Sequence, residues 1–189
     1  MKKCILLSLV LGMLWACGRP KGETVEVIGQ YHRVMPKVEI LLPNGFIYFN
    51  LEDNKQRIKE KTNDATLFKW FDQMSNSYHG AKMFLDTISL SNSVMFYSTG
   101  VHVPLTKENV RDMISTIEKG VYSFRGEVVR EESSLIRIGD KSIFKLKYKF
   151  PSDNRYAIYY VISTSLKTVG MNVLTNDDDL YHYVKNIKL

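Results

Sequence analysis

One segment alternates apolar and basic side chains, and it constrains the fold more than any other feature of the chain. In the last seven residues of Lys141–Phe150, Phe144, Leu146, Tyr148 and Phe150 alternate with Lys145, Lys147 and Lys149. A period of two residues is that of a β-strand with one buried face and one solvated face. We therefore predict a strand whose lysines form an exposed stripe. Replacing any one lysine with Ser should change stability by no more than about 0.5 kcal/mol.

The segments around this strand also have the composition of strands. The turn-forming run 151–154 leads into Arg155–Thr164, where both alternating faces are apolar, so we predict a central strand covered on both sides. Pro43-Asn44-Gly45 between two apolar runs predicts a hairpin. The other predicted strands are Val38–Leu42, Phe46–Leu51, Lys82–Ser89, Val94–Thr99, Phe124–Glu131, Leu135–Ile138 and Val169–Leu174.

Three segments have helical spacing instead. The clearest begins after Thr106, a good N-cap, and ends at Gly120. Its apolar face consists of Val110, Met113, Ile114, Ile117 and Val121. A second predicted helix runs from Asp64 to Gly80, and a short C-terminal one, capped by Asn176 or Asp177, continues to Ile187.

These elements predict one α+β domain over residues 34–189, with a mainly antiparallel sheet and helices packed on it. Because a small domain has one core, the apolar faces of the 106–120 helix and of the 141–150 strand should bury each other or share that core.

The first 17 residues read as an export signal. Lys2 and Lys3 precede the apolar run Ile5–Leu14, which is too short to span a bilayer as a helix. Leu14, Ala16 and Cys17 resemble a bacterial lipobox, in which the cysteine is lipidated and becomes the mature N-terminus; Trp15 departs from the usual small residue. We therefore expect a signal peptide at 1–16 and a lipidated Cys17. A tether should follow over 17–33.

The likeness to a lipobox implies a protein of the bacterial cell envelope, held in a membrane by its lipid. Gly18, after the cysteine, fits an outer-membrane address, and the face of the membrane is left open. Loss of Lys2 and Lys3 lowers the basic count from 26 to 24 against 20 acids, so the mature charge is +4. Acidic and basic residues are interspersed along the chain, so this charge does not indicate a protein that binds nucleic acid.

The residue types present exclude several chemistries. Both cysteines, Cys4 and Cys17, lie in the signal region, so the mature domain has no disulfide or thiol nucleophile. The four histidines have no metal-ligand spacing, and nucleotide and serine-hydrolase motifs are missing. Asp177–Asp179 lacks the pattern of a calcium loop and fits a helix N-terminus better. We expect neither a metal nor a cofactor.

Six residues are candidates for an interaction surface. The lysine stripe beside exposed aromatics such as Tyr159 is one possibility, although lysines also serve simply to solvate a sheet face. Trp70 lies off the apolar stripe of its predicted helix, and His102 lies in a connection, where function is often found. The candidates are Lys145, Lys147, Lys149, Tyr159, Trp70 and His102.

The order of elements is similar to that of the PsbP/Mog1-like fold, an α/β/α sandwich. The best matching pieces are Val38–Phe49, with its Leu-Pro-Asn-Gly turn, and the closing segment Asp179–Leu189. The resemblance implies a non-catalytic binding or assembly protein. Together with the lipobox-like signal, it leads us to expect an envelope protein as the partner. A cone-shaped α+β fold with a ligand cavity is the structural alternative.

Two other functions remain open from the sequence. One is an inhibitor or immunity lipoprotein that blocks an envelope-acting toxin. The other is an enzyme whose site is assembled from scattered residues, which would show a cleft with convergent polar groups.

Overall fold

A computed structural model describes residues 27–49, 80–89, 92–125, 128–152, 154–176 and 180–189, and for 121–125 it describes the backbone alone. The strands in these ranges are β1 (Gln30–Met35), β2 (Val38–Leu42), β3 (Phe46–Phe49), β4 (Lys82–Asp86), β5 (Ser93–Ser98), β6 (Val129–Ile138), β7 (Lys141–Phe150), β8 (Arg155–Ser163) and β9 (Thr168–Thr175). The helices are α1 (Lys107–Arg125) and α2 (Tyr181–Val184).

Seven of the strands form one antiparallel sheet in the order β3-β4-β5-β9-β8-β7-β6, and β1 and β2 form a separate hairpin. β8 lies inside the sheet between β9 and β7, and seven of its nine residues are buried. The prediction of a central strand covered on both faces is therefore confirmed. The mainly antiparallel α+β architecture is confirmed as well.

Helix α1 covers one face of the sheet. The cluster on this side contains Phe144, Leu146 and Tyr148 of β7, all fully buried, and the apolar face of α1 packs against it through Val110, Met113, Ile114 and Ile117. The predicted contact between this helix face and this strand face is confirmed.

The β1–β2 hairpin and α2 cover the opposite face. Ile40 and Leu42 of the hairpin and Val184 of α2 are fully buried against Ile158, Tyr160 and other sheet residues. The C-terminal tail is fastened to the hairpin, because Glu39 and Lys188 exchange backbone hydrogen bonds of 2.9 and 2.8 Å. Nζ of Lys141 also donates to the carbonyl of Ile187, at 2.8 Å.

The turn at 43–45 forms as expected, but it does not close a hairpin. Gly45 has a φ of 104°, and the amide of Phe46 donates to the carbonyl of Pro43. However, β2 pairs with β1, and β3 pairs with β4. The turn therefore carries the chain from the hairpin layer into the main sheet, and the hairpin prediction is wrong.

The start of α1 is confirmed and its end is not. Oγ1 of Thr106 accepts a hydrogen bond from the amide of Asn109, which is the geometry of an N-cap. The helix continues through Gly120 to Arg125. Glycine lowers helix stability by only about 1 kcal/mol, so within a longer helix it need not act as a stop. Phe124 consequently lies in this helix and not in a strand.

The two strands predicted after α1 are one ten-residue strand, β6, whose pairing with β7 shifts at a bulge between Arg130 and Glu132. At the C-terminus, α2 is shorter than predicted. Its N-cap is Leu180, with no side-chain cap, in place of the expected Asn176 or Asp177. At the other end, β1 already begins at Gln30, inside the segment expected to be a tether. The helix predicted from Asp64, with Trp70, lies outside the described residues.

One glycine is required by close packing across the sheet. Tyr97 on β5 is paired with Gly170 on β9, and its ring lies directly over the glycine, where a Cβ atom would overlap ring carbons.

We expect Gly170→Ala to lower the free energy of unfolding by about 1–3 kcal/mol, because the new Cβ atom would overlap the ring of Tyr97 and the ring must move off β9. Urea denaturation measures this change. Gly120→Ala is the matched control, because a Cβ there meets no atom within 4 Å. It should stabilise α1 by up to about 1 kcal/mol. Equal effects at the two glycines would contradict the packing of Tyr97.

Candidate functional site

The lysine stripe lies on the hairpin-covered face of the sheet, and only part of it reaches solvent. Lys145 is 4% exposed. Its Nζ lies 2.5 Å from Oε2 of Glu132 and 5.9 Å from the ring centroid of Tyr181. The prediction that Lys145 points into solvent is therefore wrong, because α2 brings Tyr181 over this part of the strand.

A β-bulge supplies carboxylates to the first two lysines. Bulges place an extra residue in one strand and redirect side chains. Here the neighbouring residues Glu131 and Glu132 both reach the lysine face: Glu132 contacts Lys145, and Glu131 lies 3.2 Å from Nζ of Lys147. The stripe is thus largely neutralised within the domain, so it does not form a strongly basic surface.

Tyr159 does not lie beside the lysines. It is paired with Leu146 and contacts Tyr148 edge-on at 6.2 Å, on the face covered by α1. The tyrosine next to the lysines is Tyr156, and the ammonium of Lys147 lies 4.0 Å from its ring centroid. The alternation along β8 places Tyr156 and Tyr159 on opposite faces, which could have been read from the sequence.

His102 lies at the end of the sheet where three connections meet. They are the turn 36–37, the connection 99–106 and the turn 164–167, and we call this region the three-loop end. His102 and parts of all three connections line a pocket of about 270 Å³. Nε2 of His102 lies 2.8 Å from the carbonyl oxygen of Thr164. Because a carbonyl only accepts, this nitrogen carries the proton and the ring is fixed by the contact.

Hydrogen bonds between side chains and backbone hold these connections together. Oγ1 of Thr168 accepts from the amide of Val103 at 2.8 Å and lies 2.9 Å from Oγ of Ser163, which also donates to the carbonyl of Val103. Thr99 donates towards the carbonyls of Val101 and Thr168. The connections are thereby tied to the ends of the central strands.

Two apolar side chains project from these hydrogen-bonded connections. Val101 is 67% exposed and Leu166 is 82% exposed, and both border the pocket. Lys167 lies between the turns, with its Nζ 3.4 Å from the carbonyl oxygen of Pro36. Sequence reasoning missed Val101 and Leu166, although an apolar residue in the otherwise polar turn 164–167 is a signal that could have been used.

Other predicted site residues cannot be placed: Cys17, Trp70 and Asp177–Asp179 lie outside the described residues. Among those described, no three His, Cys, Asp or Glu residues come together as a metal site requires. Neither helix in the described ranges is long and apolar enough to cross a bilayer.

His32 on β1 has a pKa below its ordinary value, because its ring is partly buried. Its ring packs on Phe84 with the centroids 4.9 Å apart, and its buried Nε2 has no hydrogen-bond partner in the described part of the chain. Burial lowers the pKa of His32 below its usual 6.5. The folded domain therefore favours the neutral ring.

This shift predicts loss of stability in acid. The unfolded chain binds the His32 proton as the pH falls through about 6.5, before the folded protein does. Neutral His32 therefore contributes fully to the free energy of unfolding at pH values above this range. As the pH falls, this contribution declines until the pH passes the lowered pKa of the folded state. Thermal melts from pH 8 to 5 should show a drop in Tm that is smaller in His32→Gln. Parallel curves for the two proteins would contradict it.

No known protein family and no curated protein sequence matches the chain. The structure is similar to that of cyanobacterial PsbP (CyanoP) from Synechocystis sp. PCC 6803, with a TM-score of 0.55 and 15% sequence identity. The likeness covers 92% of this chain and 99% of the cyanobacterial chain. The fold is PsbP-like. Of the two architectures expected from the sequence, the sandwich is therefore the one found.

Proposed function

We propose that this protein is a lipid-anchored, non-catalytic binding or assembly-accessory module of the bacterial cell envelope. The signal-like segment 1–16 and the lipobox-like Cys17 support the anchor. The PsbP-like fold favours an accessory role, although a fold alone does not determine function.

The main support for a binding function is the pair of exposed apolar side chains at the three-loop end, Val101 and Leu166. Exposed apolar side chains that border one pocket are more typical of surfaces that bind another protein than the same residues scattered singly. Because the connections are already held by Ser163, Thr168 and Thr99, a partner would bind them with little cost in conformational entropy. The chemistry expected of the partner is an apolar surface on an envelope protein.

The direction of β1 places the proposed binding surface at the end of the domain opposite the lipid attachment. Gln30 lies beside Leu42, whereas Met35 lies beside Val38 at the turn 36–37. The strand spans about 20 Å at the usual rise per residue. The chain leading from Cys17 thus enters the domain at the end opposite the three-loop end. A lipid at Cys17 would leave Val101 and Leu166 directed away from the point of attachment.

Site-specific photo-crosslinking in cells tests the binding surface. A photoreactive residue at Leu166 or Val101 should capture the same envelope protein. Ile88 is the matched control, because it is 90% exposed and lies in the connection between β4 and β5 at the opposite end of the sheet. A crosslinked partner seen equally from position 88, or different partners from positions 101 and 166, would contradict a specific surface at the three-loop end.

Replacement of the lipidated residue tests the anchor separately. Cys17→Ser should leave the precursor unprocessed or release the protein from the membrane fraction, since stable attachment needs the lipid chains. Fractionation and immunoblotting measure both outcomes. A Cys17→Ser protein that migrates and fractionates like the parent would show that the lipoprotein interpretation is wrong.

A further inference from the structure

A second cavity, open to solvent along one side, lies between α1 and the sheet, on the face away from the β1–β2 hairpin. Its volume is about 400 Å³, within the range of small-molecule sites. Met113 and Ile117 of α1 form its helix side, and Tyr97 and Val161 form its sheet side. These residues give the cavity an apolar interior with one aromatic ring.

The aromatic ring is present because of Gly170. The ring of Tyr97 occupies the space that a side chain at position 170 would need, so only glycine fits there. The hydroxyl of Tyr97 also lies 3.5 Å from Oδ1 of Asn172, which is buried. The strand pairing and this glycine therefore place the ring in the wall of the cavity.

A carboxylate completes the lining. Asp112 lies one residue before Met113 on α1 and is the one charged residue among the described residues that line the cavity. Its remaining polar lining comes from neutral hydroxyl and amide side chains, among them Asn109 and Thr116. A cavity with an aromatic ring, aliphatic walls and a single negative charge is complementary to an organic cation, because both the ring face and the carboxylate attract positive charge.

We propose that this cavity binds a free small organic cation, an amine or quaternary ammonium group attached to an apolar body. The ammonium group would lie between Asp112 and the ring of Tyr97, and the apolar body would contact Met113, Ile117 and Val161. This site adjoins the three-loop end, because Thr99 and Val103 of the connection 99–106 belong to its lining. Its charge and its apolar walls come from other residues, and binding of the cation does not depend on the proposed partner.

Titration of the purified protein with benzyltrimethylammonium, followed by calorimetry and by amide NMR shifts, tests the site. The cation should bind at least tenfold more tightly than neutral benzyl alcohol. Asp112→Asn should weaken binding about tenfold, and Tyr97→Leu about three- to thirtyfold, the range expected for a cation–π contact. Glu108→Gln, which removes a carboxylate from the same helix outside the cavity lining, should leave the affinity unchanged.

Three outcomes would overturn the proposal. The first is equal affinity for benzyl alcohol, which would mean that the cavity responds only to apolar surface. The second is unchanged affinity in Asp112→Asn. Asp112 is exposed, so this variant should fold and can be tested even if Tyr97→Leu does not fold. The third is binding to phosphatidylcholine vesicles without binding of the soluble cation, which would identify a lipid headgroup as the ligand and not a free molecule.

Discussion

Replacing Leu146 with Ala is expected to lower the free energy of unfolding by about 2–5 kcal/mol, the usual cost of a large-to-small change in a core. Leu146 is completely buried in the middle of β7, in the cluster that α1 covers. The truncation removes apolar contacts with both layers, and a cavity remains because strand and helix are fixed by their other contacts. Urea denaturation, with the slope checked for two-state behaviour, measures the effect.

The matched control is a neighbour on the other face of the same strand. Lys149 is partly exposed, so Lys149→Ser should change stability by no more than about 0.5 kcal/mol. The reverse result, a large loss at Lys149 with no change at Leu146, would mean that the strand is shifted by one residue. Such a shift would exchange the two faces of β7.

This strand illustrates what the sequence predicts well. Its period of two residues is set by the geometry of the backbone, so it identifies the apolar face of β7 without knowledge of any neighbour. The cap at Thr106 is similarly local, because its hydroxyl bonds an amide three residues ahead. The contact between α1 and β7 followed from these two patterns, since a small domain offers few other places to bury them.

Features that depend on distant chain segments were not predicted. Whether Lys145 is exposed is decided by α2, some 36 positions further along the chain, and by the bulge in β6. Whether the turn at Gly45 closes a hairpin is decided by the partners that β2 and β3 find elsewhere. The surface at the three-loop end was not predicted for the same reason. Val101 and Leu166 are 65 positions apart in the sequence, and only the fold places both in the lining of one pocket.

The burial of Lys145 leads to the second large expected effect, in its ion pair with Glu132. Glu132→Gln should lower the free energy of unfolding by about 2–4 kcal/mol. Breaking a buried pair typically costs about 3–5 kcal/mol, and the value here is reduced because the glutamate side chain is 39% exposed. The lysine side chain is 5% exposed, so water cannot readily replace the lost carboxylate.

Two further variants separate the charge effect from general damage to β6. Glu131→Gln removes the adjacent carboxylate of the same bulge, but its partner Lys147 is 22% exposed, so the cost should stay below about 1 kcal/mol. Glu132→Gln combined with Lys145→Met should recover much of the loss, because an apolar side chain of similar length needs no counter-charge. Urea denaturation of all variants gives the coupling energy. If the two Gln variants lose the same amount and the Met substitution restores nothing, Glu132 is not what stabilises the charge of Lys145.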